Sequence, residues 1–257
     1  MKKSTAVRSI TIILTFLVAY YGNGTLQEYF RIVITDNAFL RLFWVYLWWT
    51  VPTLVITGIL FGFRNLAGVF GLDRSPLKGL AFAAMTVWPM LLSSALVARF
   101  EVKLDFIYLL RSTIFAGLFE EYLFRGFLFG ILFKKGGWGF IPAGLIGALF
   151  FGLGHIYQGA NFTQSFGVFL VTAMGALWFA WLCIEWNNNL WVPIFLHILM
   201  NLSWGLFDVS ENALGDIYLN IFRAVTIAIS VFLTVRQGRR TGFRINKSNL
   251  WVNEVSC

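Results

Sequence analysis

Long apolar runs separated by short polar stretches make up most of the chain. A helix that crosses the hydrocarbon core of a bilayer needs about 20 mostly apolar residues, because each residue advances about 1.5 Å. Eight segments meet or approach this length: 9–22, 39–62, 79–98, 106–133, 139–158, 165–184, 190–207 and 216–235. The pattern therefore predicts an all-α, polytopic helical bundle of about eight transmembrane helices, forming a single integral membrane domain over residues 1–257.

The first apolar segment also fits a second interpretation, a signal peptide. It is short and follows the basic residues Lys2, Lys3 and Arg8, as the apolar core of a signal peptide does. However, the stretch that follows, Tyr21-Gly22-Asn23-Gly24, contains no Ala-x-Ala cleavage sequence. We therefore expect a retained helix.

The composition excludes other classes of protein. Hydrophobic residues make up 58% of the chain and charged residues 12%, whereas a soluble domain carries about 25% charged residues. A water-facing surface could not be covered with so few charges, which excludes a soluble protein. The net charge of +8 is typical of basic cytoplasmic loops, so we expect a lipid bilayer and not a nucleic acid as the partner.

The placement of the basic residues predicts the orientation. With the N-terminus in the cytoplasm and eight spans, thirteen basic residues fall inside and four fall outside, which obeys the positive-inside rule. The four outside are Arg31, Arg41, Arg99 and Lys103. Both termini are thus predicted to be cytoplasmic.

Three charged residues lie together in the fourth segment, in the run Leu118-Phe119-Glu120-Glu121-Tyr122-Leu123-Phe124-Arg125-Gly126. A charge at the bilayer centre costs about 2.5–3.5 kcal/mol on insertion scales, so such residues are functional candidates. Glu121 and Arg125 are four residues apart and can form an ion pair on one helical face. Glu120 points about 100° away on an α-helix, which leaves its carboxylate free to face a cavity. A structural salt bridge is the alternative for Glu121 and Arg125.

Both histidines of the chain lie in apolar segments. His155 follows Phe151 by four residues, and Asn201 follows His197 by four, so each pair shares a helical face. A histidine in an apolar helix is often only a packing residue. However, two imidazoles, an amide and a carboxylate carried on three helices can converge on one site in a bundle.

The chemistry that such a site could perform is hydrolysis of an amide bond. A carboxylate that accepts a proton from water makes the water a nucleophile, and imidazole or carboxamide donors can stabilise an oxyanion. No serine or cysteine lies in a nucleophile motif, and His-Glu-x-x-His, GxGxxG and P-loop motifs are absent from the sequence. The two cysteines, Cys183 and Cys257, form neither a disulfide framework nor a metal-ligand spacing.

At this point the residues resemble those of a known family. Glu120-Glu121-x-x-x-Arg125, then Phe151-x-x-x-His155, then His197-x-x-x-Asn201 resemble, in order and spacing, the motifs of the CPBP superfamily. This superfamily includes type II CAAX prenyl endopeptidases and bacteriocin-processing and abortive-infection membrane proteins. The resemblance covers residues 106–205, the expected catalytic core.

The resemblance implies a glutamate-type intramembrane endopeptidase that acts on a membrane-associated protein or peptide without a cofactor or metal. By it, Glu120 would activate water with help from His155, and His197 and Asn201 would form the oxyanion hole. Glu121 and Arg125 would orient the site, and Phe151 would pack beside it. A short chain of this kind resembles a prokaryotic member, which places it in a plasma membrane.

Three alternatives stay open. A non-catalytic membrane immunity or partner-binding protein would use the polar cluster only as structure. A zinc hydrolase would use Glu120, His155 and His197 as ligands, since three such ligands and a water form a catalytic zinc set. A transporter would also suit intramembrane charges, although the sequence has no inverted repeat.

The segment after His155, residues 157–161, is either a plain turn or the mouth of the site. The sequence does not indicate which membrane face the site opens to.

Overall fold

The computed structural model describes residues 3–29, 31 and 37–253, and over these residues the chain is helical without a strand. The α-helices are α1 (Lys3–Tyr29), α2 (Ala38–Phe61), α3 (Leu66–Phe70), α4 (Pro76–Val97), α5 (Phe106–Leu109), α6 (Gly130–Lys135), α7 (Phe140–Leu153), α8 (Phe162–Glu185), α9 (Trp191–Gly205) and α10 (Ile217–Thr241). A π-helix (Leu110–Phe129) joins α5 to α6, and short 3-10 helices lie at Phe63–Asn65 and Ile156–Gln158.

The eight predicted segments correspond to eight long helical segments of this multi-pass membrane protein. Six helices in the described part of the chain are long and apolar enough to cross a bilayer: they include α1, α2, α4, α8 and α10, and α7 continued through Gln158. Helix α9 is apolar but shorter. The remaining segment, 106–135, contains the π-helix and the three clustered charges. The predicted all-helical polytopic bundle is confirmed.

The first helix takes part in the apolar packing inside the bundle. From the sequence, this segment fits either a signal peptide or a retained helix. Phe16 and Ile12 of α1 are almost completely buried, and the ring of Phe16 lies 5.2 Å from that of Phe124 on the π-helix. A second apolar cluster joins α4, α8 and α9. The first helix is therefore packed into the bundle core.

The connecting segments gather at two opposite ends of the bundle. We call one end the tail face, formed by 62–75, 134–139, 186–190 and 242–253. The backbone of Leu190 donates to Gly71, and that of Phe140 donates to Asn249. We call the other end the turn face, formed by 98–105, 154–161 and 206–216. There Lys103 binds Asp208 at 2.7 Å, and the Ala213 N–H donates to the side chain of Gln158.

The segment after α10 packs against the tail face and caps α7. The first N–H groups of a helix have no partner within it, and here Gly139, Phe140 and Ile141 donate to the carbonyls of Trp251, Asn249 and Leu250. The buried carboxylate of Glu185, at the end of α8, accepts the N–H groups of Arg244 and Ile245. This segment thereby fixes the start of the helix that carries Phe151. Cys257 lies outside the described residues.

Candidate active site

The first motif lies in the middle of one continuous helical segment, 106–135, which starts at an Asp105 cap on the N–H of Tyr108. Its central part is a π-helix rather than the expected α-helix. π-Helical turns have i→i+5 hydrogen bonds, are rare, and occur frequently at functional sites. Every residue from Glu121 to Phe133 is buried, whereas the Glu120 side chain is 20% exposed. The adjacent glutamates therefore have different environments, as the sequence predicted.

Glu121 is the centre of a buried ionic cluster. Its Oε1 lies 3.1 Å from Nη1 of Arg125 and 2.7 Å from Nδ1 of His197 on α9. A carboxylate only accepts, so His197 Nδ1–H is the donor. The Arg125 nitrogen is close to the carboxylate but is not aligned for a hydrogen bond, so their attraction is mainly between charges. The predicted pair is present, and His197 joins it.

Aromatic rings enclose the Arg125 guanidinium. Its Cζ lies 4.3 Å from the ring centre of Phe151 and 5.4 Å from that of Phe179. These distances suit cation–π attraction, which strengthens when the cation is desolvated. Phe151 also lies 4.4 Å from the ring of His155, so it packs between the ionic cluster and the second histidine.

Glu120 faces the other histidine. Nε2 of His155, which follows the end of α7, lies 4.0 Å from Oε2 of Glu120. The His155 Nδ1 is 2.7 Å from the backbone oxygen of Phe151, and because a carbonyl only accepts, Nδ1 carries the proton. In the neutral ring, the His155 Nε2 is then a hydrogen-bond acceptor, and it faces another acceptor, the Glu120 Oε2. Oε2 of Glu120 is buried and has no hydrogen-bond partner among the described residues.

Asn201 lies one helical turn beyond His197 on α9, and it contacts the π-helix on the side toward the turn face. Its Nδ2 donates to the backbone oxygen of Ser112 at 2.7 Å. One amide hydrogen is therefore engaged, and the second can serve another acceptor.

The structure thus brings six of the seven sequence candidates together in two adjacent groups, and the seventh, Asn201, contacts Ser112 instead. One is the ionic cluster of Glu121, Arg125 and His197 with Phe151, and the other is the pair of Glu120 and His155. Over the described residues, no group of three or more His, Cys, Asp or Glu side chains is arranged to hold a metal ion. The ligand set of the zinc alternative does not fit, because His197 is directed at Glu121 instead of sharing a centre with Glu120.

Two residues near the site were not singled out from the sequence. Phe179 lies under the Arg125 guanidinium at 5.4 Å and meets the ring of His197 edge to face at 5.8 Å. The hydroxyl of Tyr20 on α1 lies against Gly154, where a built Cβ would be only 1.9 Å from it. Phe179 is one of 28 phenylalanines in an apolar chain, so no sequence pattern distinguishes it from the phenylalanines that only pack in the core.

The fold and this centre define the class: a multi-pass membrane protein with buried charges and histidines that converge from separate helices. Residues 102–203 match the family model described as "Type II CAAX prenyl endopeptidase Rce1-like". They span the π-helix, α7 and nearly all of α9. The resemblance predicted from the three motifs is confirmed by this match, which covers 102 of the 257 residues.

One curated relative is also named as a membrane peptidase. The chain is 39% identical over 90 residues to the Bacillus subtilis (strain 168) protein named "Putative membrane peptidase YdiL". The match covers 35% of this chain and 32% of the relative, so it spans about a third of the relative's length. No solved structure matches the chain significantly.

Proposed function

We propose that the chain is an intramembrane endopeptidase that hydrolyses a peptide bond in a membrane-associated protein or peptide. The observation that carries this proposal is the 4.0 Å separation between Glu120 Oε2 and His155 Nε2. It is too long for a direct hydrogen bond, but one water at about 2.8 Å from each atom fits between them. Each atom is an acceptor, so the water would donate one hydrogen to each.

This arrangement leaves the lone pairs of the water available for attack. As the water oxygen bonds to the scissile carbonyl carbon, Glu120 takes its proton and His155 holds the second hydrogen. The amide π-electron pair moves to the oxygen and forms a tetrahedral oxyanion. Glu120 then passes that proton to the leaving nitrogen, the oxyanion electron pair re-forms the carbonyl, and the C–N bond breaks with its electrons going to the nitrogen. Water thus supplies all the atoms added to the products.

Asn201 and His197 would stabilise the oxyanion. Asn201 has a second amide hydrogen beyond the one bound to Ser112. His197 already donates Nδ1–H to Glu121, so its Nε2 would donate to the oxyanion only with the ring in the imidazolium form. Glu121, Arg125 and Phe151 would act as positioning residues, because they fix the ring of His197 and the backbone that holds His155.

The orientation is part of the proposal. The chain would lie in a plasma membrane of a prokaryote, with both termini in the cytoplasm. The positive-inside rule supports this orientation.

Comparison of protein termini tests the catalytic proposal. Cells would carry the intact chain, Glu120→Gln, or the matched control Glu211→Gln, at equal abundance, and mass spectrometry would compare the termini of membrane proteins and secreted peptides. We expect a small set of new termini with the intact chain and the control, and their loss in Glu120→Gln. Identical termini in all three strains would refute the proposal. If deletion of the whole chain still had a phenotype, an immunity or partner-binding function would replace it.

A further inference from the structure

The exposure of the segment 106–135 differs on the two sides of Glu120. From Glu121 to Phe133, toward the tail face, thirteen consecutive residues are buried. From Phe106 to Glu120, toward the turn face, exposed and partly exposed residues alternate with a few buried ones. Glu120 therefore lies at the boundary between a tail half that is closed by packed side chains and a turn half that is only partly covered by the rest of the bundle.

The segments of the tail face close that end further. The Gly71 carbonyl accepts the N–H of Leu190, and the Trp191 indole donates to the carbonyl of Leu72. Leu190 is completely buried, and Asn189 beneath the same loop is almost so. The start of α9, six residues before His197, is thus covered by two interlocked loops.

The end of α7 places the second histidine at the turn face. Helix α7 has only 14 residues, about 21 Å at 1.5 Å per residue, which is shorter than the hydrocarbon core of about 30 Å. His155 follows its last turn directly, and Tyr157, two residues later, is 78% exposed. His155 therefore lies at the turn-face end of α7, next to the short 3-10 helix Ile156–Gln158 and the exposed Tyr157.

The two faces differ in charge. The described segments of the tail face carry six basic residues and the acidic Asp73; the basic residues are Arg64, Arg74, Lys134, Lys135, Arg244 and Lys247. The described segments of the turn face carry two basic and five acidic residues: Arg99, Lys103, Glu101, Asp105, Asp208, Glu211 and Asp216. Cytoplasmic loops are enriched in Lys and Arg, so the tail face is the cytoplasmic one.

From the exposure and the charge together, we infer that the site opens at the extracytoplasmic face of the membrane. The inference rests on the proposed function and specifies its substrate class: an exported, membrane-anchored peptide or protein whose scissile bond enters from that face. A prenylated protein that is modified and anchored at the cytoplasmic face could not reach Glu120, because the buried tail half of the helix would lie between them.

Cysteine labelling in intact cells tests the location of the opening. Three single substitutions, Tyr157→Cys, Glu120→Cys and Lys135→Cys, would be made in a chain that carries Cys257→Ser and retains the buried Cys183. The probe is a small, membrane-impermeant thiosulfonate. We expect Tyr157→Cys and Glu120→Cys to react fully in intact cells. The matched control Lys135→Cys, on the tail face, should react only after the membrane is permeabilised.

Two labelling outcomes would overturn the inference. In the first, Lys135→Cys reacts in intact cells and Tyr157→Cys does not, which reverses the orientation. In the second, Tyr157→Cys reacts from outside but Glu120→Cys does not, so that the site is closed to that face. Labelling does not require catalysis, so its result stands apart from the proteolysis test. If Glu120-dependent termini exist but all lie in cytoplasmic segments, the substrate class is wrong while the protease proposal stands.

Discussion

Arg125 offers the sharpest test of how the centre is held together, through the substitution Arg125→Met. Methionine keeps a long unbranched side chain but removes the charge. The side chains of Glu121 and Arg125 are 0% and 2% exposed, so the substitution would leave the Glu121 carboxylate buried without its main cation. It would also remove the guanidinium from the faces of Phe151 and Phe179.

The expected cost follows from this burial. Removing one partner of a buried ion pair costs about 3–5 kcal/mol, because the remaining charge is left uncompensated. For a chain of this size, each 1 kcal/mol lowers the melting temperature by about 2–4 °C, so the decrease should be about 6–20 °C. The hydrogen bond that His197 donates to Glu121 at 2.7 Å remains in the variant and still satisfies one carboxylate oxygen, which favours the lower half of this range.

Thermal unfolding of the purified protein in detergent would measure the decrease, with Lys135→Met as the matched control, since Lys135 is an exposed cation in the same helical segment. The double variant Glu121→Gln with Arg125→Met removes both charges and should be more stable than Arg125→Met alone, with a coupling energy of about 0.5–3 kcal/mol. The ion pair does not stabilise this centre if Arg125→Met has the same melting temperature as the wild type. The same conclusion follows if the free-energy changes of the two substitutions simply add in the double variant.

Three further predictions concern the surroundings of the site. Gly154→Ala should abolish proteolysis, because its Cβ would lie 1.9 Å from the Tyr20 hydroxyl and displace the neighbouring His155; adding Tyr20→Phe should restore part of the activity, and failure to do so would exclude this steric cause. Glu185→Gln should release the segment 242–253 to limited proteolysis at a cost of about 1–3 kcal/mol, because its carboxylate accepts two backbone N–H groups at 3.0 and 3.1 Å, whereas Glu211→Gln should not. Strong chelators should leave cleavage unchanged, and a loss that added zinc reverses would restore the zinc hypothesis.

The sequence was sufficient for features that depend on one helix at a time. Apolar runs predicted the helical segments, since only a helix satisfies its own backbone groups in lipid. The spacing of Glu121 and Arg125 predicted their pairing, because residues four apart share one face of a helix. The two charged groups lie 3.1 Å apart. Contacts between helices were less predictable, because a hydropathy pattern does not fix how each helix is rotated about its axis. That His197 would contact Glu121 and not Glu120 required the packed structure.

The winding of the central helix explains why this assignment was out of reach. On an α-helix the two glutamates would point about 100° apart, and we expected one to face a cavity and the other its cation. The π-helix has i→i+5 bonds and therefore more residues in each turn, so adjacent side chains diverge by a smaller angle than on an α-helix. Both carboxylates can consequently lie on the inward side of one helix, with His155 approaching Glu120 from α7 and His197 approaching Glu121 from α9. Local winding, which apolar periodicity does not reveal, thus narrows the angle between two neighbouring residues that have separate partners.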